Sequence, residues 1–296
     1  MKIIPGPASK ELGEKIAKLL KAEAIPISFK TFPDGESYIR FLIESLQDED
    51  VAIVQSTSPP QEQRIIQLLL MADNAHDMKA KNITAVVPYL AYNRQDKRFL
   101  PGEAFSIKTI VKLLEECCVD RLITVNAHNP SALKSFNIPV EDLSAIPLIA
   151  EHFKTKGLVK NPVSLSMGKK ALNVAVEADN ILKGGFDYIA TRRDVVTGNV
   201  TLEEKALPVK NRDVIIFDDI ISSGGTMAKA VKNAKEQGAR KVYAACVHPL
   251  LMGDAQRKIL ESGAEAIIST DSVPTPISEV SIAPLISEAL KDYKSG

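Results

Sequence analysis

Apolar residues in this chain occur in short uninterrupted runs, and these runs alternate with stretches in which apolar residues recur every three or four positions. The first pattern predicts buried strands and the second predicts amphipathic helices. The predicted strands are residues 2–4, 51–55, 83–87, 122–125, a run near 163, 187–190, 214–217, 241–247 and 266–268. The predicted helices start at Ser9 as a candidate N-cap and continue at 61–76, 106–116, 170–182, 228–237, 253–262 and 282–293.

Strands that alternate with helices are typical of parallel sheets in α/β folds. A chain of 296 residues is long enough for two domains, each with its own core. We place the domains at 1–147 and 148–296, and the last predicted helix could pack back on the first domain. The two halves share a similar layout, which suggests a duplication, although the sequence shows no repeat.

The longest stretch with evident chemistry begins at the predicted strand 214–217. Two carboxylates, Asp218 and Asp219, follow it directly, and Gly238 is a candidate C-terminal cap for the helix beyond. Between them lies a loop of small residues: Ser222, Ser223, Gly224, Gly225 and Thr226. Glycines let several backbone N–H groups face one concavity, and the following helix start adds a partial positive charge that favours a phosphate.

The two carboxylates in this stretch are suited to accept hydrogen bonds from sugar hydroxyls or to help hold Mg²⁺. No Lys follows the glycines, so the loop is not a Walker loop. The plain alternative is that Asp218 and Asp219 cap a turn that the glycines make.

Two other segments place polar residues where a ligand could bind. Residues 32–36, Phe-Pro-Asp-Gly-Glu, predict a turn, and a plain Pro-Asp-Gly turn explains them equally well. His128 follows the predicted strand 122–125. It could be a metal ligand or a phosphate contact, although a lone histidine is more often structural.

A basic segment follows the predicted strand 83–87. Arg94, Lys97 and Arg98 concentrate positive charge there, beside Tyr89 and Tyr92. Ligands of α/β proteins bind beyond the carboxyl ends of strands, so a polyphosphate or a stacked base could bind at this segment. A solvated basic loop is the alternative.

The chain has 37 basic and 37 acidic residues, so its net charge is zero. This balance argues against a nucleic-acid or membrane partner. The N-terminal sequence has no sustained apolar run, and no segment approaches the length that spans a bilayer. The three cysteines fit neither a disulfide framework nor a zinc motif, so we expect buried thiols in a reducing cytoplasm.

The string 214–227 resembles the phosphoribosyl-pyrophosphate (PRPP) binding signature that phosphoribosyltransferases share with PRPP synthetases. Five segments in order resemble ribose-phosphate pyrophosphokinase over nearly the whole chain, most of all the archaeal type. They are FPDGE at 32–36, PYLAYNRQDKRF at 88–99, GEAFSIKT at 102–109, the His128 segment, and DDIISSGGT at 218–226.

The resemblance implies two phosphoribosyltransferase-like α/β domains, each a mainly parallel sheet flanked by helices. It implies transfer of the β,γ-diphosphoryl group of ATP, with Mg²⁺, to the C1 hydroxyl of ribose 5-phosphate. The implied ATP-binding residues are Phe32, Asp34, Gly35, Glu36, Arg94 and Gln95. The first four of these would serve a neighbouring subunit, so the resemblance implies a homo-oligomer with composite ATP sites.

The resemblance also assigns the remaining site residues. His128 lies at the Mg-ATP site, and Arg193 is the implied catalytic residue. The implied ribose 5-phosphate contacts are Arg193, Asp218, Asp219, Ser222, Ser223, Gly224, Gly225 and Thr226.

Two positions depart from the pattern of the family. The family carries a Lys-x-Arg pair on a loop that closes over the transferring phosphates. In this chain, Thr191 stands at the position of the Lys and Arg193 at the position of the Arg. If the alignment with the family were shifted by one residue, Arg192 would take a role there instead. The family also carries a Pro-Asp-x-Gly segment, its Asp counted among the magnesium or substrate contacts, where residues 164–170 here contain no Asp. Both losses concern the rate of catalysis more than the recognition of substrates.

Three functions are consistent with this sequence. The first is an active PRPP synthetase, and the second is a weak or inactive paralogue that regulates an active synthetase. The third, a phosphoribosyltransferase acting on a base, is disfavoured because such an enzyme does not need the N-terminal motifs. Formation of AMP from ATP and ribose 5-phosphate separates the first two.

Overall fold

The computed structural model describes residues 1–94, 98, 100–193 and 200–291, with the backbone alone for Arg193 and Val200. The chain divides into two compact units. Unit 1 comprises Met1–Leu143 together with the segment that begins at Ser281, and unit 2 comprises Ser144–Val280.

Unit 1 is built on a parallel sheet with a separate hairpin. Its elements are β1 (Lys2–Pro5), α1 (Lys10–Leu20), β2 (Glu23–Ala24), β3 (Ile27–Thr31), β4 (Ser37–Phe41), β5 (Asp50–Val54), α2 (Gln61–Asp77), β6 (Asn82–Val87), α3 (Ser106–Glu116), β7 (Arg121–Val125), a 3₁₀ turn (Pro130–Ser135) and β8 (Val140–Leu143).

Unit 2 is built on a second parallel sheet, and it also carries a hairpin. Its elements are α4 (Ile146–Thr155), β9 (Pro162–Met167), a 3₁₀ turn (Lys169–Ala171), α5 (Leu172–Leu182), β10 (Phe186–Ile189), β11 (Thr191–Arg193), β12 (Val200–Leu202), β13 (Asp213–Ile221), α6 (Gly225–Glu236), β14 (Lys241–Pro249), α7 (Ala255–Glu261), β15 (Ile267–Thr270) and β16 (Ser278–Val280). The last helix of the chain, α8 (Ala283–Lys291), belongs to unit 1.

The two sheets have the same strand order. Unit 1 runs β2-β1-β5-β6-β7-β8 and unit 2 runs β10-β9-β13-β14-β15-β16, and all strand pairs within both sheets are parallel. In each sheet the order reverses beside the first strand, so each has a topological switch point, β1/β5 or β9/β13, where α/β proteins bind ligands. The predicted α/β class with parallel sheets is confirmed.

Helices cover the sheet of unit 1 and bury its apolar strands. Leu68 and Met71 of α2 and Val111 and Leu114 of α3 belong to one buried cluster with the strands. The helices α1 and α8 pack against each other. Arg121 at the start of β7 is buried, forms an ion pair with Glu141, and donates a hydrogen bond to the carbonyl of Ala289 in α8 at 3.1 Å.

The sequence predicted the central strands and most helices within a few residues, and the helix 106–116 without error. It did not predict α4, the short strands β2, β8 and β16, or the two hairpins. Ser9 precedes α1 as expected, but its side chain does not cap the helix. The Ser9 hydroxyl instead accepts the N–H of Ser56 at 2.9 Å.

Within the residues that the structure describes, no helix combines the length and the apolar character needed to cross a membrane. Cys117, Cys118 and Cys246 are free thiols.

Candidate functional site

The central strand of unit 2 carries the two acids. β13 was predicted to stop at Phe217, but it continues to Ile221, so Asp218 and Asp219 lie within its last residues rather than beyond it. Both are half-buried. The N–H of Asp219 donates to Asp218 Oδ1 at 3.0 Å, and the N–H of Ile220 donates to Asp219 Oδ1 at 2.9 Å. The backbone therefore orients both carboxylates at the carboxyl edge of the sheet.

A tight loop joins β13 to α6. Gly224 has φ +75, and a Cβ on it would stand 2.8 Å from the carbonyl oxygen of Ala255, so the backbone approach requires glycine. The N–H of Met252 donates to the Ser222 carbonyl at 3.0 Å and fixes the loop beside the segment that follows β14.

The helix α6 begins at Gly225, three residues before the predicted start at Ala228. Gly225 and Thr226 therefore lie in its first turn, where backbone N–H groups have no partner within the helix and the helix dipole is positive. A Cβ on Gly225 would have no heavy atom within 4 Å. The loop and the first turn of α6 thus form a candidate phosphate-binding cradle, defined as Ser222–Thr226, next to the two acids.

Cys246 lies beside Asp218 in the register of β13 and β14. Its thiol is fully buried, and burial together with the negative charge of Asp218 raises the pKa of Cys246 well above the usual range. The thiol therefore stays protonated and has a packing role rather than a nucleophilic one.

The β11–β12 hairpin starts next to the turn that follows β9. Gly168 in that turn has φ +86 and donates its N–H to the Ile189 carbonyl at 3.0 Å. Thr191 is half-buried, and its Oγ1 lies 2.9 Å from the position of a Cβ on Gly168. Arg192 is exposed, and Arg193 pairs with Val200 in the ladder of the hairpin.

The base of this hairpin contains contacts that were not predicted. Lys205 forms an ion pair with Asp187, donates to the Tyr188 carbonyl at 3.0 Å, and lies 3.4 Å from the centroid of the Tyr188 ring. Gln237 at the end of α6 donates to the Lys205 carbonyl at 3.1 Å and accepts the N–H of Leu207 at 2.8 Å.

In unit 1, the predicted turn 32–36 is the tip of the β3–β4 hairpin. The N–H of Phe32 donates to the Glu36 carbonyl at 2.8 Å, and the N–H of Glu36 donates to Asp34 Oδ1 at 3.3 Å. Gly35 has φ +100. Phe32, Asp34, Gly35 and Glu36 are all exposed.

Two aromatic rings and one cation form a cluster on this hairpin. Lys30 Nζ lies 4.7 Å from the ring centroid of Phe32 and 4.8 Å from that of Tyr38, and the two rings meet edge to face at 6.2 Å. The hairpin thus presents an aromatic and acidic tip outward, which fits recognition of a group outside its own unit.

The basic segment of unit 1 follows β6. Ala91 donates its N–H to Thr57 Oγ1 at 2.8 Å, and the Tyr92 hydroxyl donates to Glu62 at 2.6 Å. This hydrogen bond raises the pKa of Tyr92 and lowers the pKa of Glu62. Arg94 is exposed, and Gln95 lies outside the described residues. Their roles in ATP binding stay predictions.

Asn93, between Tyr92 and Arg94, is only 2% exposed, and its amide Oδ1 and Nδ2 have no partner among the described residues. Sequence reasoning did not single it out. An Asn in a polar segment carries no signal of burial, so only the coordinates reveal it.

His128 is exposed and lies on the loop after β7, the strand that was predicted at 122–125. The loop is fixed by hydrogen bonds from the N–H of Asn126 to the Leu143 carbonyl at 2.8 Å and from the N–H of Ala127 to Asp142 at 2.9 Å. In the described parts of the chain, no three His, Cys, Asp or Glu side chains converge on a point that could hold a metal ion. A role of His128 at a metal stays a prediction.

Strand order, acids and cradle together define a doubly wound α/β protein with a candidate site for a phosphorylated sugar. Comparison with known proteins identifies a family within this class. Residues 1–117 match the N-terminal domain of ribose phosphate pyrophosphokinase, and residues 207–292 match the phosphoribosyl synthetase-associated domain.

Curated relatives are similar in sequence to this protein over almost the whole chain. The ribose-phosphate pyrophosphokinase of Methanothermobacter thermautotrophicus is 39% identical, with 98% of this chain and 100% of the relative covered. That of Saccharolobus solfataricus is 40% identical, with 92% and 93% covered. The crystal structure of phosphoribosylpyrophosphate synthetase from Mycobacterium smegmatis superposes with a TM-score of 0.86 at 29% identity, covering 98% of this chain and 97% of that one. The chain belongs to the ribose-phosphate pyrophosphokinase family, and the two phosphoribosyltransferase-like domains implied by the resemblance are confirmed.

Proposed function

We propose that this protein is a ribose-phosphate diphosphokinase that makes PRPP and AMP from ATP and ribose 5-phosphate for nucleotide biosynthesis. The observation that carries this function is the match to pyrophosphokinases over 98% of the chain at 39% identity. That match includes the N-terminal domain over residues 1–117, which a phosphoribosyltransferase does not need. The same match disfavours an inactive regulatory paralogue.

The sugar would bind in unit 2. The phosphate-binding cradle, Ser222–Thr226, suits the 5-phosphate, because Gly224 brings the backbone close and the first turn of α6 offers N–H groups. Asp218 and Asp219 are oriented by backbone hydrogen bonds and suit the ribose hydroxyls. This arrangement fixes the sugar at both ends and leaves its C1 hydroxyl available.

The reaction itself consists of one displacement at phosphorus. The C1 oxygen bonds to the β-phosphorus of ATP and loses its proton. The bond between the β-phosphorus and its bridge oxygen to the α-phosphate breaks, and AMP leaves with the electron pair. The protein has little covalent chemistry to perform in this reaction. Its role is to position the reacting groups in line and to compensate charge on the phosphates. Arg193 on β11 is our candidate for the second task, because a guanidinium binds phosphate oxygens in bidentate fashion.

Mg²⁺ fits this site as an ion that arrives with the nucleotide. Mg²⁺ usually keeps several waters and takes one or two carboxylates plus substrate phosphates. Unit 2 supplies two such carboxylates, Asp218 and Asp219, and the described residues hold no cluster of three ligands. In unit 1, the exposed His128 is a separate candidate contact for Mg-ATP. The ion would offset charge on the polyphosphate. The residues themselves would orient the sugar and the nucleotide.

We extend the proposal to the assembly and the location of the protein. The exposed tip of the β3–β4 hairpin, with Phe32, Asp34, Gly35 and Glu36, would complete the ATP site of a second copy, so we propose a homo-oligomer with composite ATP sites. Arg94 and Gln95 would contact the same nucleotide. Free thiols and the charge balance suit a cytoplasmic enzyme without a nucleic-acid partner.

An assay of AMP release tests the function. Purified protein with ATP, Mg²⁺ and ribose 5-phosphate should form AMP and PRPP in equal amounts, and leaving out the ribose 5-phosphate should abolish both. Asp218→Ala should depress the rate as a matched negative control. Absence of AMP, together with release of pyrophosphate from PRPP and adenine, would show a phosphoribosyltransferase instead.

A further inference from the structure

We propose that Lys205 is a positioning residue that holds the β11–β12 hairpin, and with it Arg193, in the geometry needed for diphosphoryl transfer. The inference rests on the proposed function for its kinetic part. Its structural part concerns how the hairpin is attached to unit 2.

The hairpin leaves the sheet through two legs. The outgoing leg continues from β10, so its direction is fixed by the sheet. The return leg, residues 203–207, is in no strand of the sheet and needs other contacts to hold it. The N–H of Glu203 donates to the Ala190 carbonyl at 2.9 Å, and this ties the two legs together where the hairpin ladder ends.

Lys205 attaches the return leg to β10 through three contacts of one ammonium group. It forms an ion pair with Asp187, donates to the Tyr188 carbonyl at 3.0 Å, and lies 3.4 Å from the centroid of the Tyr188 ring. The side chains of Lys205 and Asp187 are 25% and 24% exposed, so solvent screens this pair less than a fully exposed one. An ammonium that meets a carboxylate, a carbonyl and an aromatic face has little freedom left.

The return leg is also attached to α6, whose other end forms the phosphate-binding cradle. Gln237 donates to the Lys205 carbonyl at 3.1 Å and accepts the N–H of Leu207 at 2.8 Å. A helix of 12 residues, Gly225–Glu236, therefore connects the cradle to the base of the hairpin. This places the substrate phosphate and the hairpin in one rigid frame.

Packing supplies part of this frame, because Leu202 and Leu207 pack against the hydrophobic core of unit 2, but it leaves a gap beside α6. Between β12 and α6 lies an open cavity of about 350 Å³, lined by Thr201, Leu202, Lys229, Lys232, Asn233 and Glu236. Side chains of α6 thus do not fill the space under the hairpin there. The contacts of the Lys205 ammonium are the polar attachment of the return leg to β10.

The kinetic consequence follows from the role of Arg193. A group that offsets charge on the transferring phosphates must be placed within a fraction of an ångström, and a misplacement of about 1 Å can cost on the order of 10²-fold in rate. Loosening the base of the hairpin should therefore lower kcat while ribose 5-phosphate, held by the cradle, binds as before.

The test compares Lys205→Met with a matched control, Lys235→Met. Lys235 also makes one ion pair, to Glu265 at 3.4 Å, and one hydrogen bond to a carbonyl, of Arg240 at 3.3 Å, at similar exposure but away from the hairpin. We expect Lys205→Met to lower kcat about tenfold or more, within the range for misplaced groups. Its affinity for ribose 5-phosphate, measured by calorimetry, should be unchanged, and Lys235→Met should leave kcat within about twofold of wild type.

A double-mutant cycle identifies the path of the effect. If Lys205 acts through the hairpin arginine, Lys205→Met should lower kcat much less in an Arg193→Lys background than in wild type. Lys205→Arg, which retains the cation over the ring, should keep most of the activity, and Asp187→Asn should reproduce part of the loss. Equal effects of Lys205→Met in both backgrounds, or an unchanged kcat, would overturn the proposal.

Hydrogen exchange gives a readout that does not depend on activity. Lys205→Met should speed exchange of the amides of β11 and β12 and leave those of β13 unchanged. If wild type released no AMP, the proposed function would fail, while faster exchange confined to the hairpin would still support the attachment by Lys205. Unchanged exchange would overturn that attachment.

Discussion

Thr191 and Gly168 are neighbours in unit 2: the Oγ1 of Thr191 lies 2.9 Å from the position that a Cβ on Gly168 would take. By the resemblance to the family, Thr191 stands where the family's lysine belongs, and Gly168 belongs to the segment 164–170, which contains no Asp. Two departures that are separate in the sequence are therefore one local difference in the structure.

Restoring the cation should raise turnover. We expect Thr191→Lys to increase kcat by at least about tenfold, because a preorganised donor at the transferring phosphates is worth on the order of 10²–10³ in kcat. Affinities for ATP and ribose 5-phosphate should stay nearly constant, since the contact is made mainly in the transition state. Steady-state rates at saturating ATP, Mg²⁺ and ribose 5-phosphate measure the effect.

Thr191→Met is the control for this substitution, because it adds length beside Gly168 without charge. It should not raise kcat. The missing Asp near Gly168 limits the gain from the lysine, and Arg193 or Arg192 already supplies part of the charge. A natural protein that turns over at about 10 s⁻¹, an ordinary enzyme rate, and gains nothing from the lysine would contradict this interpretation of the hairpin.

The sequence predicted those parts of the fold that local pattern determines. Apolar runs such as those in β5, β6 and β13 are buried in the sheets, and they were found from the local pattern of apolar residues alone. The β3–β4 hairpin was missed because residues 27–31 are mostly exposed and carry no buried run. The end of β13 was placed too early because charge was taken to end a strand, whereas Asp218 and Asp219 continue it half-buried.

The candidate site also has one part that the local sequence predicts and one part that it does not. The cradle is contiguous in sequence, so its residues were identified directly. The attachment of the hairpin joins Lys205 to Asp187 and Gln237, which are 18 and 32 residues away. Nothing in the local sequence of these residues marks the contact, because an isolated Lys, Asp or Gln is typical of any solvated surface.

The buried carboxylate of Asp213 should make stability depend on pH. It accepts hydrogen bonds from Arg240 Nε at 2.8 Å, Arg240 Nη2 at 2.7 Å and the N–H of Lys160 at 2.7 Å. Burial works against the charged form, but the hydrogen bonds from Arg240 and Lys160 prevail and lower the pKa of Asp213. A lowered pKa in the folded state means that the stabilisation is present above the unfolded value, about 3.9, and is lost as pH falls through the folded value.

Asp213→Asn should therefore lower the free energy of unfolding by about 1.5–3 kcal/mol at pH 7, the usual contribution of a hydrogen bond to a charged group. Because Arg240 is half exposed, we expect the lower end. The difference from wild type should shrink below pH 4, as measured by urea unfolding. Asp254→Asn is the control, because the exposed pairs of Asp254 with Lys258 and Arg257 should contribute little to stability. A difference that stays constant with pH would contradict the assignment.

The β3–β4 hairpin should mediate self-association. Phe29, Phe32, Tyr38 and Leu42 are large apolar or aromatic residues that lie exposed on it or next to it. We expect light scattering at micromolar concentration to give at least a dimer. Phe29→Asp should shift the protein toward monomer and weaken ATP binding, whereas Leu260→Asp, at an exposed position of α7 in unit 2, should do neither. A wild-type monomer that still binds ATP tightly would refute composite ATP sites.

The two glycines of the cradle should respond differently to substitution. The positive φ and the close backbone contact belong to Gly224, whereas a Cβ on Gly225 would have no heavy atom within 4 Å. Gly224→Ala should therefore destabilise the loop, with a lower melting temperature. Gly225→Val should leave stability nearly unchanged and weaken ribose 5-phosphate binding, because the side chain would occupy the space of the phosphate.

Asp218→Ala tests the acid next to the cradle in the same way that Gly225→Val tests the cradle. It removes a carboxylate that suits the ribose hydroxyls, and a lost hydrogen bond to a charged group corresponds to about a ten- to hundredfold weaker affinity. Calorimetric titration with ribose 5-phosphate measures Asp218→Ala and Gly225→Val under one set of conditions, with melting temperatures as the check on folding. If both variants bind ribose 5-phosphate with the affinity of wild type, the acids and the cradle of β13 and α6 do not form the sugar-phosphate site.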